Sequence, residues 1–291
     1  MKLSEIRIRD PYILVDSGKY YLYGTTRLDE EGCEPVPLGF DVYESSDLEN
    51  FSGPYPVFEP EEGFFGIRDF WAPEVHYYRG EYYMLATFKG ESNLHGVGIL
   101  KADTPLGPFK PHSEMPVTPK DWAALDGTLY VEDGVPYMVF CHEWSQIIDG
   151  AMCYARLSDD LTRLVGEPIT MFSASSNPFG RPSRMRSGAD GYITDGPFMH
   201  RTKGGELLML WSMRGERGYM ECVYRSDNGR IDGSFDPVSV LYPDDGGHGM
   251  LFKDKLGKPC FVLHSPNTRG LERARIYYAK EADGTLNLEP R

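Results

Sequence analysis

Hydrophobic and polar residues alternate along most of this chain in short runs, and glycine-bearing turns separate the runs. The first example is RDPYILVDSGKYYLYGTT, residues 9–26, where an alternating run, a turn with Gly18 and an aromatic-rich run follow one another. Alternation with a period of two is typical of a half-buried strand, and a glycine turn between two such runs predicts a β-hairpin. No stretch shows a convincing helical period over ten residues.

The hairpin pattern recurs along the whole chain, and each copy is followed by a strand, an acidic turn and a short outer strand. The copies begin 62, 54, 69 and 53 residues apart, at Asp10, Ala72, Asp126, Asp195 and His248. Four-stranded units repeated around a channel predict an all-β fold, a five-bladed β-propeller with antiparallel blades, in a single domain spanning residues 1–291. A β-sandwich is the alternative, but it gives no reason for a fivefold unit of this length.

The net charge and the composition indicate which partners and which cellular compartment to expect. The formal net charge of −14 argues against nucleic acid and anionic membranes, and it suits a small neutral carbohydrate. The oligomeric state stays open. The start of the chain, MKLSEIRIRD, has no apolar core of a secretory signal, and no apolar run approaches the roughly 18 residues of a membrane span, so we expect a cytoplasmic protein. Five scattered cysteines without a C-x-x-C pair predict free thiols: Cys33, Cys141, Cys153, Cys222 and Cys260.

The fold brings the starts of the hairpins together, because the first strand of each propeller blade lines the channel. Asp10, Asp126, Asp195 and His248 should therefore meet at one mouth. Two carboxylates can hydrolyse a glycosidic bond: one protonates the leaving oxygen and the other activates water. A third nearby carboxylate raises the pKa of the acid, because like charges resist joint ionisation. Two readings compete: ordinary Asp-Gly turns in blades three and four, or oxygen ligands for Ca²⁺.

Five short motifs resemble glycoside hydrolase family 43: RDPYI, WAPEV, the DG of blade three, TDGP and GHG. The resemblance extends from residue 7 to about residue 280. It implies a propeller of inverting glycosidases that act mainly on α-L-arabinofuranosides and β-D-xylosides. It also implies that Asp10 is the general base and that Asp126 tunes and orients the acid. His248 would lie near the channel axis and contact a structural calcium ion through water, while the chemistry itself would need no cofactor.

The general acid departs from the family pattern, which places Glu before Gly-Pro where this chain has Asp195. Aspartate is one methylene shorter, so Glu143, in FCHEWSQ, is a rival acid with the family's side-chain length. The same departure supports an alternative from a different class, a carbohydrate-binding propeller without catalysis. A carboxyl separation of roughly 6.5–9.5 Å between base and acid would accompany inversion.

Substrate contacts are expected from aromatic and charged residues beside the catalytic strand ends. Aromatic rings bind the apolar faces of sugars, and polar groups fix their orientation. The predicted aromatic contacts are Trp71, Phe70 and Trp144, with Trp122 as a weaker candidate. Glu74 is predicted to orient the ligand. The resemblance to family 43 further implies that Arg269 or Arg273 is the arginine that reaches the catalytic carboxylates.

The longest irregular segment is residues 173–191, directly before Asp195. A long loop in a compact domain is often a lid, and a capped pocket would make the enzyme exo-acting on imported oligosaccharides. A plain connector between blades is equally compatible with the sequence. Arg181, Arg184 and Arg186 of this segment could instead bind an anion, which leaves a phosphate-using transferase as a further alternative.

Overall fold

The structure is a computed structural model that describes residues 1–28, 36–185 and 188–291. The described residues form five four-stranded antiparallel sheets, in each of which the strands follow chain order. First strands of neighbouring sheets contact each other, and the last sheet contacts the first, so the ring is closed. The predicted all-β, five-bladed propeller is confirmed. None of the helices in the described part of the chain is long and apolar enough to cross a membrane.

Each blade runs from an inner strand at the channel to an outer strand at the rim. The strands of blades one to three are β1 Arg9–Asp16, β2 Lys19–Thr25, β3 Phe40–Ser45, β4 Phe51–Phe58, β5 Arg68–Tyr78, β6 Glu81–Lys89, β7 His95–Ala102, β8 Lys110–Pro111, β9 Ala124–Glu132, β10 Val135–His142, β11 Ala151–Leu157 and β12 Leu164–Ser173. Those that follow are the short pair β13 Ser183–Arg184 and β14 Asp190–Gly191, then β15 Asp195–Arg201, β16 Leu207–Gly215, β17 Gly218–Ser226, β18 Phe235–Tyr242, β19 Gly247–Lys253, β20 Pro259–Ser265, β21 Arg273–Ala282 and β22 Thr285–Pro290. One α-helical turn, α1 Trp144–Ile147, and two 3₁₀ turns, Leu3–Glu5 and Ala174–Ser176, complete the described elements.

Aromatic side chains fill the space between the first two blades. The rings of Phe70 and Phe88 meet edge to face, with centroids 5.0 Å apart, and Phe40, Phe58 and Phe64 surround them. Only 7% of Phe70 is exposed. The expectation that Phe70 contacts substrate is therefore wrong, because the alternation of β5 turns this ring into the core while its neighbour Trp71 stays accessible.

A two-residue bulge interrupts every inner strand near the same mouth of the channel. The first bulge residue always has a left-handed backbone, with φ of 52° at Asp10, 46° at Ala72, 55° at Asp126, 53° at Gly196 and 52° at His248. Four of these five residues are not glycine, and such positive φ values cluster at functional sites because the fold must hold them there.

The register corrects one part of the sequence alignment. Asp195 pairs with Ser212 immediately before the bulge, so Gly196, not Asp195, is the blade-four counterpart of Asp10 and Asp126. Proline follows the left-handed residue in three blades, at Pro11, Pro73 and Pro197. A bulge leaves one residue without a ladder partner, so proline, which has no N–H, is tolerated there.

Hydrogen bonds between blades hold the bulges in place. The backbone N–H of a left-handed residue donates to a side chain on the second strand of the preceding blade, as Ala72 does to Thr25 Oγ1 at 2.8 Å and Asp126 does to Thr87 Oγ1 at 2.8 Å. His248 donates likewise to Ser212 Oγ at 2.7 Å. These bonds fix the mouth of the channel to its neighbouring blades.

Candidate active site

One cavity of about 530 Å³ opens at the mouth where the bulges meet. Asp10, Asp126, Asp195 and His248 all border it, so the predicted convergence of these four residues is confirmed. Other residues at its wall are Arg7, Arg9, Thr25, Leu28, Asp69, Trp71, Leu125, Glu143, Tyr219, Arg269 and Glu272. We call this space the catalytic cavity.

Asp10 is held as a carboxylate. Its Oδ1 lies 3.2 Å from His248 Nδ1, and its Oδ2 accepts a hydrogen bond of 2.7 Å from Thr25 Oγ1. Burial by itself would raise the pKa of Asp10, but the positive charges of His248 and Arg9 hold that pKa well below its ordinary value. A buried carboxylate that stays ionised is suited to accept a proton from water.

Two histidines lie beside Asp10 and differ in charge, since His248 is protonated and His264 is neutral. Burial opposes a charge on His248, yet the carboxylates of Asp10 and Asp126 raise its pKa to about 10. Burial lowers the pKa of His264 to about 4. Neutral His264 accepts the backbone N–H of Asp10 at Nδ1, 3.1 Å away, while its Nε2 faces Asn267 Oδ1 at 3.1 Å. His264 is structural, and His248 carries the positive charge of the site.

The pKa values of Asp195 and Asp126 are raised, whereas that of Asp10 is lowered. Burial and the neighbouring Asp126 raise the pKa of Asp195 to about 7, although Tyr219 OH donates a hydrogen bond to its Oδ2 at 3.0 Å. Burial likewise raises the pKa of Asp126 to about 6, and its Oδ2 accepts the backbone N–H of Gly196 at 3.1 Å. The pair therefore holds a proton near neutral pH beside an ionised Asp10, as an acid and a base working together require.

A fourth buried carboxyl, that of Glu221, fixes the backbone on either side of the His248 position through hydrogen bonds. Glu221 Oε2 accepts hydrogen bonds from Ser212 Oγ at 2.6 Å and from the backbone N–H of Gly249 at 3.2 Å. Ser212 Oγ in turn accepts the backbone N–H of His248. Burial raises the pKa of Glu221 to about 7, and the residue is fully enclosed, so it positions the site and does not meet a ligand.

A family comparison agrees with this geometry. The model described as "Glycosyl hydrolases family 43" matches residues 3–280. The chain belongs to glycosyl hydrolase family 43. The resemblance inferred from RDPYI, WAPEV and TDGP is therefore confirmed.

Three relatives show how this family 43 chain compares. A solved endo-arabinase from Bacteroides thetaiotaomicron VPI-5482 is 36% identical, covers 98% of both chains and superposes with a TM-score of 0.90. A solved thermostable family-43 glycoside hydrolase is 22% identical, with a TM-score of 0.82 over 98% of this chain and 93% of that chain. Xylosidase/arabinosidase 43A of Humicola insolens is 27% identical over 154 residues, 49% of this chain and 46% of that protein. The match to this curated relative thus covers less than half of its length.

Glu143, the rival acid, borders the catalytic cavity but has the wrong charge state. Its Oε2 lies 3.3 Å from His95 Nδ1 and accepts a hydrogen bond of 2.6 Å from Ser145 Oγ. Burial would raise the pKa of Glu143, but these two partners lower it. On the other side of His95, Asp69 Oδ2 lies 3.0 Å from Nε2. Glu143 is therefore an ionised partner of His95, and the protonated carboxyl belongs to Asp195.

The predicted substrate-binding residues divide into two groups. Trp71 and Arg269 border the catalytic cavity, and Trp144 borders a neighbouring cavity that also touches Glu143. Glu74 does not border the catalytic cavity: it is 8% exposed, and its Oε2 lies 3.0 Å from His76 Nε2. Arg273 bonds the backbone carbonyls of Ser4, Gly270 and Glu272 and joins the first and last blades. Neither Glu74 nor Arg273 borders the catalytic cavity, so the structure does not support the substrate contacts expected of them.

Sequence reasoning missed several residues of the cavity. Arg9 is the first residue of the RDPYI motif and Asp69 lies two residues before WAPEV, so their positions could have signalled them. Tyr219 and Glu272 lie on or before the third strands of blades four and five, where the repeat gives no signal. Glu272 is only 1% exposed and lies 3.5 Å from Arg9 Nη1, which secures that guanidinium at the cavity wall.

His248 is not arranged as a direct calcium ligand, and the expected contact through water stays a prediction. Its Nδ1 faces two carboxylates, at 3.2 Å and 3.8 Å, and carries a proton between them, whereas Ca²⁺ prefers a shell of oxygen ligands. Among the residues that the structure describes, no three His, Cys, Asp or Glu side chains are grouped to hold a metal.

The remaining predictions concern the segment 173–191 and the thiols. Arg181 pairs with Glu216 and Arg184 with Asp190, neither borders the catalytic cavity, and Arg186 lies outside the described residues. The transferase alternative thus loses the two described arginines of the three on which it rested. Four cysteines, at positions 141, 153, 222 and 260, are free, as predicted, and they are also buried, while Cys33 lies outside the described residues.

Proposed function

We propose that this family 43 chain hydrolyses arabinofuranosyl linkages of neutral oligosaccharides with inversion at the anomeric carbon. The observation that carries the proposal is the opposite protonation of two carboxyls at one cavity. Asp10 is ionised beside His248, and Asp195 holds its proton beside Asp126. An ionised carboxylate beside a protonated acid is what hydrolysis of a glycosidic bond needs, and the binding-only alternative has no use for such a pair. Inversion is proposed from the resemblance to family 43.

Each carboxyl has one task in the proposed reaction. Asp10 accepts a proton from the water that attacks the anomeric carbon, and Asp195 donates its proton to the leaving oxygen. Asp126 keeps Asp195 protonated until the bond breaks, since two neighbouring carboxylates resist joint ionisation. After turnover Asp10 holds a proton and Asp195 is ionised, and exchange with solvent restores both groups.

The sugar and the position of cleavage are proposed from comparison and from the shape of the cavity. The relative at 36% identity is an endo-arabinase, so arabinofuranosyl linkages come first. Xylosyl linkages are the second candidate, because the Humicola relative is named for both sugars. Exo action was expected from a cap over the pocket, but no described residue of the segment 173–191 borders the catalytic cavity. We therefore propose cleavage within chains, on oligosaccharides imported into the cytoplasm.

The test is a paired set of arabino- and xylo-oligosaccharides with early proton NMR of the products. We expect turnover of the arabino-series, internal cleavage products, and a first-formed sugar with the anomeric configuration opposite to that of the substrate. Retention of configuration would overturn the proposed roles of Asp10 and Asp195. Absence of turnover on both series would overturn the hydrolytic function.

A further inference from the structure

The catalytic cavity continues sideways over blades two and three. A middle cavity of about 950 Å³ shares Asp69, Trp71 and Glu143 with it. An outer cavity of about 510 Å³ shares Leu94 and His95 with the middle one. Ligand sites typically have volumes of about 300–1,000 Å³, so three adjoining cavities offer more room than the sugar at the cleaved bond requires. We call the middle and outer cavities together the lateral groove.

Accessible aromatic rings accompany the groove along its length. Trp71 stands at the entrance, with its ring tilted by 33° against His95 at a centroid distance of 4.7 Å. Trp122 borders the outer cavity and stacks on His142, at 4.0 Å and 12°, which fixes the orientation of its ring. Phe65 and Ile67 line the same cavity, and 47% of Ile67 is exposed. Fixed rings beside apolar groups suit the C–H faces of sugars.

The charges of the groove favour a neutral ligand. In the middle cavity, Asp69 lies 3.5 Å from Lys89 Nζ and 3.0 Å from His95 Nε2, while Glu143 pairs with the other ring nitrogen of His95. Arg68 donates to the side chain of Asn93. Asp69, Lys89, His95 and Glu143 pair with one another, and the outer cavity adds one charge of each sign, Glu91 and Lys120. The groove therefore presents hydrogen-bonding edges without a strong excess of either sign.

We propose that the lateral groove binds the further sugar units of the same neutral oligosaccharide, with Trp122 as the distal contact. The inference rests on the proposed function for the identity of the sugar chain. Its occupant follows from continuity, since a chain cleaved at Asp10 and Asp195 can leave the catalytic cavity past Trp71 and reach Trp122. Longer substrates then gain contacts that short ones lack, and the enzyme prefers them.

The test compares arabino-oligosaccharides of two to six units on the wild type and on Trp122→Ala. We expect kcat/KM to rise with length in the wild type, and the advantage of the hexamer over the dimer to fall about tenfold in the variant. Ile67→Asp, at an exposed position that tolerates the change, should lower the same ratio. Tyr77→Ala is the matched control: this ring is 60% exposed but lies about 20 Å along β5 from Trp71, and the ratio should not change.

Calorimetric binding to Asp195→Asn separates this inference from the proposed function. Arabinohexaose and xylohexaose are titrated into this variant and into its Trp122→Ala double variant. A loss of affinity for the hexamers on removing Trp122 supports sugar binding in the lateral groove, even if the wild type hydrolyses neither arabino- nor xylo-oligosaccharides. No binding of either hexamer, equal losses for dimer and hexamer in Trp122→Ala, or a wild type indifferent to length would each overturn the inference.

Discussion

The hydroxyl of Tyr219 donates a hydrogen bond of 3.0 Å to Oδ2 of Asp195, the carboxyl that holds its proton near neutral pH. This bond stabilises the ionised form of Asp195 and so works against burial, which raises the pKa to about 7. The strength of the proposed acid thus depends on a residue 24 positions away, on the third strand of the same blade.

Tyr219→Phe removes that bond. The pKa of Asp195 should rise further, so the alkaline limb of the kcat/KM profile, expected near pH 7, should move up by roughly half to one unit. The measurement is a pH profile on an arabino-oligosaccharide. Tyr242→Phe is the control, because its hydroxyl faces Ser265 and not Asp195. An alkaline limb that stays in place would contradict the assignment of that limb to Asp195.

Asp10→Asn tests the general base. The amide keeps the size of the side chain but cannot accept a proton, so kcat should fall by about 10²–10⁴-fold. The thermal midpoint of unfolding should show that the variant is folded. Asp16→Asn, at the other end of β1, is the control and should retain activity. Near wild-type turnover by Asp10→Asn would mean that another group activates water.

Asp195→Ala and Glu143→Ala separate the two candidate acids by leaving group. A dinitrophenyl leaving group needs little protonation, whereas a sugar leaving group needs it fully. Asp195→Ala should therefore damage hydrolysis of oligosaccharides far more than hydrolysis of a dinitrophenyl glycoside. Glu143→Ala should damage both about equally, because its carboxylate is ionised beside His95. The reverse pattern would assign the acid to Glu143.

Thr25→Val tests the bond between the first two blades. Thr25 is 2% exposed, and its hydroxyl accepts the N–H of Ala72 and donates to Asp10. Valine keeps the shape but leaves a buried N–H without a partner, so the free energy of unfolding should fall by about 1–3 kcal/mol. Urea denaturation measures it. Thr87→Val, the equivalent change one blade on, should cost a similar amount; losses below about 0.5 kcal/mol in both would argue against this role.

Glu221→Gln tests a pH-dependent contribution to stability. Burial raises the pKa of Glu221 from 4.5 to about 7. Between pH 4.5 and pH 7 this carboxyl is therefore protonated in the folded state and ionised in the unfolded state. The stabilisation is present below pH 4.5 and is lost as pH rises to about 7, which amounts to about 3 kcal/mol. Glutamine does not titrate, so the variant should lose less stability than the wild type between pH 5 and pH 8. Urea unfolding at pH 5 and pH 8 measures this difference, and equal losses of stability in the wild type and the variant would contradict the prediction.

Much of the architecture was predictable from the chain alone. Alternation, glycine turns and a repeat of 53–69 residues specify five hairpin units, because strand formation depends on local patterns that each unit carries by itself. The motifs around Asp10, Asp126 and Asp195 were likewise local. Since every inner strand begins at the same mouth, the repeat sufficed to bring these carboxyls into one cavity.

Other features were decided only by tertiary structure. Register placed Gly196 at the bulge and Asp195 one residue before it, because a bulge depends on how two strands pair and not on which motif a strand contains. Packing between blades buried Phe70 and left Trp71 accessible. The charge states depended on partners far apart in sequence, as His248 lies 238 positions from Asp10, and on burial, which only the closed ring provides. Sequence thus determined which residues meet, and the folded environment determined which of them holds the proton.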